Sequence, residues 1–173
     1  MLIALAGLPG TGKSTLAQGI ARAISGVVLN KDTIRASLFP PDLIEYSTEQ
    51  DDFCMSILFQ IAAYMLRKKP DQYIILDGRT FSHSYQVRAV LELTEQLQTP
   101  LKIIECICSD ETAYQRLAKT TSDAHPASNR DYTLYLTIKA RFESIREPKL
   151  VVNTDLDFDR CLEECLAYIQ EQQ

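Results

Sequence analysis

No stretch of the sequence is apolar for long enough to cross a bilayer. The apolar run at its start, Met1 to Ala6, is too short for a signal peptide and fits a strand, so the protein is expected to stay in the cytoplasm with no membrane partner. Basic charge is also lacking. The 18 lysines and arginines are outnumbered by 23 acidic residues, for a net charge of −5, and no basic stripe with interleaved aromatics marks a dedicated nucleic-acid binder. This balance disfavours a polynucleotide partner without excluding one. The five cysteines, at 54, 106, 108, 161 and 165, include no C-x-x-C pair. Cys106 and Cys108 alternate along one strand face and Cys161 and Cys165 lie a helical turn apart, which leaves two readings. One is a four-cysteine metal site; the other, favoured in a reducing compartment, is a set of small buried hydrophobes. With no repeat, low-complexity tract or linker, the 173 residues are expected to form a single domain around one core.

Glycine is scarce, but three of the six glycines fall in one eight-residue stretch. Gly7-Leu8-Pro9-Gly10-Thr11-Gly12-Lys13-Ser14 is a complete phosphate-binding loop, G-x-x-x-x-G-K-S. It is preceded by the apolar run and followed by Leu16, Ile20, Ala23 and Ile24 at helical spacing, so it lies between a strand and a helix as the motif requires. Residues Gly7, Gly10 and Gly12 let the backbone turn successive N–H groups onto a polyphosphate. The helix starting near Lys13 adds its N-terminal dipole. Lys13 can reach the β- and γ-phosphates and the Ser14 hydroxyl can ligate Mg²⁺. The nucleotide-binding candidates are therefore Gly7, Leu8, Pro9, Gly10, Thr11, Gly12, Lys13, Ser14 and Thr15, with ATP and Mg²⁺ as the expected cofactors.

Strands expected at residues 26–30, 73–77, 101–107 and 150–153 alternate with helical patterns and join Met1–Ala6 in one three-layer α/β domain with parallel crossovers. Asp32 follows the second strand at the edge where open α/β sheets place ligands, and it also suits the N-cap of a short helix, Thr33–Leu38. Ser47-Thr48-Glu49-Gln50 fits a capping box opening a helix to about Lys69, with Phe53, Ile57, Ile61, Tyr64 and Met65 on its inner side. Tyr73-Ile74-Ile75-Leu76-Asp77 ends in an acid that can hold Mg²⁺ waters opposite the loop, making Asp77 with Ser14 the metal candidates. The helix after Ser82 is expected to bury Val87 and Val90, and the helix Asp110–Thr121 to turn Tyr114 and Leu117 inward. Residues 122–130, between that helix and the next (131–146), read as a polar loop or a closing lid that contains His125.

With these residues in place, the chain resembles the P-loop kinases, specifically the small kinases grouped with bacteriophage polynucleotide kinase and chloramphenicol phosphotransferase. The resemblance rests on Gly7–Thr15, on Asn30-x-Asp32-x-x-Arg35, and on Ile74–Asp77 followed by Phe81 and Arg88. It extends through Arg116, His125–Arg130 and Pro148-x-Leu150-Val151-Val152-x-Thr154. It implies a three-layer P-loop NTPase fold with a parallel sheet of order 2-3-1-4-5. It also implies transfer of the γ-phosphoryl group of ATP to a hydroxyl. Asp32 would be the general base or orienting group, Arg35 would position the acceptor, and Arg116 or Arg130 would meet transition-state charge, with Lys119 a third candidate. An acceptor-binding insertion at about 35–69 and a lid at about 116–130 follow from the same resemblance.

A small-molecule hydroxyl acceptor is the leading expectation. The alternatives are a polynucleotide 5′-hydroxyl kinase and a non-catalytic, ATP-gated binding module. Asp32 and Asp77 weigh against the module, which has no need of an acceptor base. The sequence does not indicate an oligomeric state.

Overall fold

Five apolar segments pair side by side, all parallel, in the order β2-β3-β1-β4-β5. They are β1 (Leu2–Ala6), β2 (Val27–Asn30), β3 (Ile74–Asp77), β4 (Leu101–Ile107) and β5 (Lys149–Asn153). This is the order the resemblance implied. The computed structural model describes residues 1–119 and 131–171. Parallel neighbours require crossovers, and the helices α1 (Lys13–Ile24), α2 (Lys31–Leu38), α3 (Thr48–Lys68), α4 (Ser84–Leu97), α5 (Asp110–Lys119), α6 (Tyr132–Ala140) and α7 (Phe158–Gln170) supply them.

The central strand explains the layering. All five residues of β1 are buried, and because side chains alternate, Leu2, Ala4 and Ala6 enter one core while Ile3 and Leu5 enter another. The first core contains Leu58 of α3 and Val87 and Val90 of α4; the second contains Leu16 and Ile20 of α1 and Cys165 and Ile169 of α7. Burying each such aliphatic side chain contributes about 1.5–3 kcal/mol, so β1 draws stabilisation from both cores. Cys106, Cys161 and Cys165 belong to the second core; with Cys54 they are buried free thiols, and burial pushes the pKa of Cys106 and of Cys165 up to about 12.

Two expectations about helix faces and one about helix length need correction. In α3 the buried stripe is Cys54, Met55, Leu58, Ala62 and Leu66, while Phe53 and Tyr64 are exposed. Apolar residues lie on several sides of the helix, and the face turned to the core carries Met55, Leu58, Ala62 and Leu66 with Phe59 half-buried beside them. In α5, Ala113 and Leu117 are buried and Tyr114 is exposed, its ring set edge-on against Tyr132. Helix α6 is shorter than expected, ending at Ala140, and is capped by Asp131, which accepts from the Leu134 amide at 2.7 Å.

Of the expected lid, residues 116–119 close α5, whereas 120–130, with His125 and Arg130, lie outside the described residues. No helix among the described residues is long and apolar enough to cross a membrane.

Candidate active site

The loop between β1 and α1 is shaped by its glycines. Gly7 has φ 127°, a conformation L side chains rarely adopt, and an added Cβ would collide with the Cys106 carbonyl oxygen on β4. The Gly7 amide donates to Thr80 O at 3.0 Å, which ties the loop to the chain leaving β3. Thr11 Oγ1 donates to Leu8 O at 2.8 Å and closes the turn. Gly12 occupies the N-cap of α1 in the left-handed region without a side-chain cap bond, so no capping side chain occupies the anion-binding end of the helix. Lys13 is buried and donates to Gly7 O at 2.8 Å and Leu8 O at 2.7 Å. Its ammonium is thus held over the loop where a polyphosphate would pass.

Strand β3 delivers Asp77 next to the loop, 1% exposed. One carboxylate oxygen accepts from Asn30 Nδ2 at 2.7 Å; the other, Oδ1, is buried and unbonded among the described residues. A buried carboxylate oxygen without a partner is costly and suits a water shell around a cation. Ser14, partly exposed at the start of α1, offers a hydroxyl on a cleft that is also lined by Gly78, the residue after Asp77. No group of three His, Cys, Asp or Glu assembles among the described residues. A Mg²⁺ bound by one serine hydroxyl, phosphates and waters does not need one, so the residues present fit that ion.

From the loop a cleft of about 140 Å³ runs toward α2 and α3, bringing Lys13 and Ser14 to the same cavity as Asp32 and Arg35. The cap reading of Asp32 is corrected here. Asn30 is the N-cap of α2, its Oδ1 accepting from the amides of Asp32 and Thr33, both at 2.9 Å. Asp32 is freed to point along the helix, where its Oδ1 accepts from Arg35 Nη1 at 2.7 Å and lies 3.4 Å from Lys31 Nζ. Arg35 and Lys31 both also reach Asp51 Oδ1 in the first turn of α3, the lysine at 2.6 Å. Ser47 caps that helix as expected, accepting from the Gln50 amide at 3.1 Å. Gln50, however, reaches past the cap, accepting from the Glu45 amide at 3.1 Å and donating to Leu43 O at 2.9 Å. It thereby pins the loop that carries Tyr46, whose ring centroid lies 5.0 Å from the Arg35 guanidinium carbon. Arg79 enters from the β3 side and pairs with Asp52 and the Tyr85 hydroxyl.

Lys31, Asp51, Asp52 and Arg79 carry no motif; Asp51 and Asp52 fall inside the expected acceptor-binding segment 35–69, but nothing in the sequence singles them out within it. Acids in the first turn of a helix also complement its dipole, so the residue types at the start of α3 do not by themselves mark a site. Asn30 could have been found, since asparagine between a strand and a helix is a preferred cap.

Arg116 lies on the other flank of the loop. Nη1 donates to Thr154 Oγ1 at 2.9 Å and Gly10 O at 3.3 Å, and Nη2 donates to Thr154 O at 2.7 Å. It thus clips the phosphate loop to the turn after β5. With Lys119, Gly12, Thr15, Leu156 and Phe158 it borders a second hollow of about 530 Å³ on the far side of the loop from Asp32.

The family model that matches this chain spans residues 2–145, from β1 through both flanks of the cleft, and describes an AAA domain. The chain belongs to the AAA_33 family of AAA domains. No curated protein matches this member in sequence. Solved structures with the same fold include a candidate kinase from Chloroflexus aurantiacus, 21% identical, with a TM-score of 0.74 over 98% of each chain. Another is the Mycobacterium tuberculosis APS kinase CysC in complex with AMPPNP and APS, 15% identical, TM-score 0.73, covering 98% of this chain and 97% of that one. A gluconokinase from Sinorhizobium meliloti is 16% identical, TM-score 0.70, covering 96% of this chain and 90% of that one. The finer grouping with phage polynucleotide kinase and chloramphenicol phosphotransferase finds no match among these.

Proposed function

We propose that the protein is an ATP-dependent kinase that transfers the γ-phosphoryl group to a hydroxyl of a small molecule bound between α2, α3 and the β3 exit. The observation that carries the reading is the continuity of one cleft from Lys13 and Ser14 to Asp32. A phosphate loop alone binds nucleotide; a buried carboxylate at the other end of the same cavity gives the chemistry an acceptor side. The likeness to a gluconokinase and an APS kinase supports a small acceptor.

The residues divide the work. The loop amides and Lys13 hold the β- and γ-phosphates, and a largely dissociative transfer asks mainly for such positioned charge. Ser14, with Asp77 acting through waters, would hold Mg²⁺, which when bound neutralises charge on the phosphates. Asp32 meets both its cationic neighbours at Oδ1, and Oδ2 has no bond among the described residues. That second oxygen is the proposed acceptor of the substrate hydroxyl proton. Arg35 holds Asp32 at the required angle. Arg116 braces the loop beside the second hollow, and the charge that meets the transferring group is assigned to the 116–130 segment, with Arg116, Lys119 and Arg130 as its candidates. The 35–69 segment, comprising the second half of α2 together with α3 and their connection, forms the acceptor wall.

Transfer of label from [γ-³²P]ATP to a panel of nucleosides, sugars, antibiotics and oligonucleotides tests this. A labelled small product is expected. Tight ATP binding with no labelled product would favour the ATP-gated module, and label on oligonucleotides alone would favour the polynucleotide kinase.

A further inference from the structure

His83 lines the same cleft as Lys13, Ser14 and Asp32. It stands at the N-cap of α4, yet its side chain makes no cap bond. Glu143, from the connection between α6 and β5, supplies the cap instead. Its Oε2 accepts from the Ser84 amide at 2.8 Å, and its own amide donates to Ser82 O at 2.9 Å. Its Oε1 is left to meet His83 Nδ1 at 3.0 Å. The carboxylate is therefore fixed by backbone bonds before it meets the imidazole, which sets it apart from an ion pair between two mobile surface side chains. Tyr85 lies near-parallel to the imidazole, with 15° between the planes and 6.0 Å between centroids. The Tyr85 hydroxyl is itself held 3.2 Å from Asp52 Oδ2 and from Arg79 Nη2. The imidazole is thus oriented at one edge and on one face.

The bonded edge decides what the other edge offers. Hydrogen bonds from His83 and from the Ser84 amide hold the Glu143 carboxyl down at about 2, so it is ionised at neutral pH and can only accept. Nδ1 must then be the donor, and in the neutral imidazole Nε2 is the acceptor. Nε2 has no hydrogen bond among the described residues. Glu143 borders an outer hollow of about 690 Å³ and not the cleft, whereas His83 borders both. The imidazole turns its bonded edge to the hollow and leaves its Nε2 edge for the cleft. A hydroxyl suits this nitrogen in either state of the ring, since it can donate to neutral Nε2 and accept from Nε2–H. A carboxylate meets only the protonated form and an ammonium only the neutral one.

We propose that His83 determines specificity at the acceptor site: its Nε2 hydrogen-bonds a second hydroxyl of the acceptor while the first is turned toward Asp32. Glu143 is the positioning residue that keeps Nε2 available. This rests on the kinase reading for the hydroxyl at Asp32, but the contact at His83 stands on the imidazole and its carboxylate. The acceptor is then a polyol, with two hydroxyls spaced to fit one cleft of about 140 Å³. Leu134 and Ile138 of α6 border the same cleft and suit the carbon skeleton between those hydroxyls.

The first arm of the test reads the imidazole itself. The sequence holds two histidines, so ¹⁵N-histidine labelling gives two rings, and His83→Asn assigns them. At about pH 8, above the ordinary imidazole range, long-range ¹H–¹⁵N correlation is expected to show His83 protonated at Nδ1, and Glu143→Gln to lose that tautomer. An Nε2–H tautomer in the parent protein overturns the proposal. The second arm uses calorimetry on the AMPPNP-loaded protein with ribose, glucose and adenosine, each against its monodeoxy forms. A polyol is expected to bind about tenfold more tightly than the form lacking the hydroxyl that meets His83, the scale of one hydrogen bond. His83→Asn keeps a group at the Nδ1 position for Glu143 but offers nothing at Nε2. It should erase the preference and raise KM for that polyol in the labelled-phosphate assay, with kcat within about threefold. His83→Gln, whose amide reaches the Nε2 position, should restore part of the preference. A role confined to stapling Glu143 requires the reverse order, with Asn near the parent and Gln defective, and that result overturns the proposal. A panel in which no polyol is preferred to its deoxy forms overturns it too, even where label is transferred. A preference that His83→Asn erases, with no labelled product, leaves the His83 contact standing and overturns the kinase reading.

Discussion

The two ends of the cleft are built on different principles. The phosphate end is backbone: one contiguous loop whose glycines turn amides inward, braced by Lys13 on Gly7 and Leu8 and by Arg116 on Gly10. The acceptor end is side chain: a network of Lys31, Asp32, Arg35, Asp51, Asp52 and Arg79 drawn from α2, α3 and the β3 exit. Triphosphate is a constant ligand, and amides fixed by local turns recognise it with little need for long-range contacts. A particular acceptor must be recognised by groups that can vary, and side chains on separate elements can change without disturbing the loop.

If this contrast is right, substitutions should separate the two ends. The largest effect is expected from Lys13→Ala. It removes the charge facing the β- and γ-phosphates and the two bonds that hold the loop carbonyls. Transfer should fall by a factor on the order of 10³, the scale of losing a positioned electrostatic group, with weakened ATP binding by calorimetry. Unchanged ATP affinity and turnover would remove the nucleotide end.

Asp32→Asn should act on the other end. Transfer is expected to fall by a factor on the order of 10² or more, with ATP affinity near the parent value. Because Asn30 rather than Asp32 caps α2, the substitution leaves the cap intact. It does replace the carboxylate beside buried Arg35, so a stability loss of about 1–2 kcal/mol by denaturant titration should accompany it. A folded variant with parent activity would show that Asp32 serves only to pair Arg35.

The smallest of the three is Asn30→Ala, which joins the two ends. It deletes the α2 cap and the hydrogen bond to Asp77 together. A loss of about 1 kcal/mol is expected from the cap, along with a raised Mg²⁺ requirement in the transfer assay as Asp77 loses its orienting partner. A stability loss with no change in Mg²⁺ dependence would detach Asp77 from the metal.

What the sequence carried and what it did not divides along the same line. Parallel strands buried on both faces read as continuous apolar runs, so β1 and β3 were legible, and the phosphate loop was legible because its function is local to eight residues. The resemblance supplied the strand order. Helix faces were less legible where apolar residues lie on several sides of a helix, as in α3, since periodicity cannot rank Cys54 and Ala62 above Phe53 and Tyr64.

By itself, then, the sequence determined an α/β domain with a nucleotide loop at its first turn, and an aspartate and an arginine following the second strand. Only the tertiary structure decided that α3 brings Asp51 and Asp52 to the cations and that Arg116 braces the loop against the turn after β5. The physical reason is range. A turn or a cap is settled by residues within a few positions of one another, whereas a buried ion-pair network depends on which elements the sheet order makes neighbours.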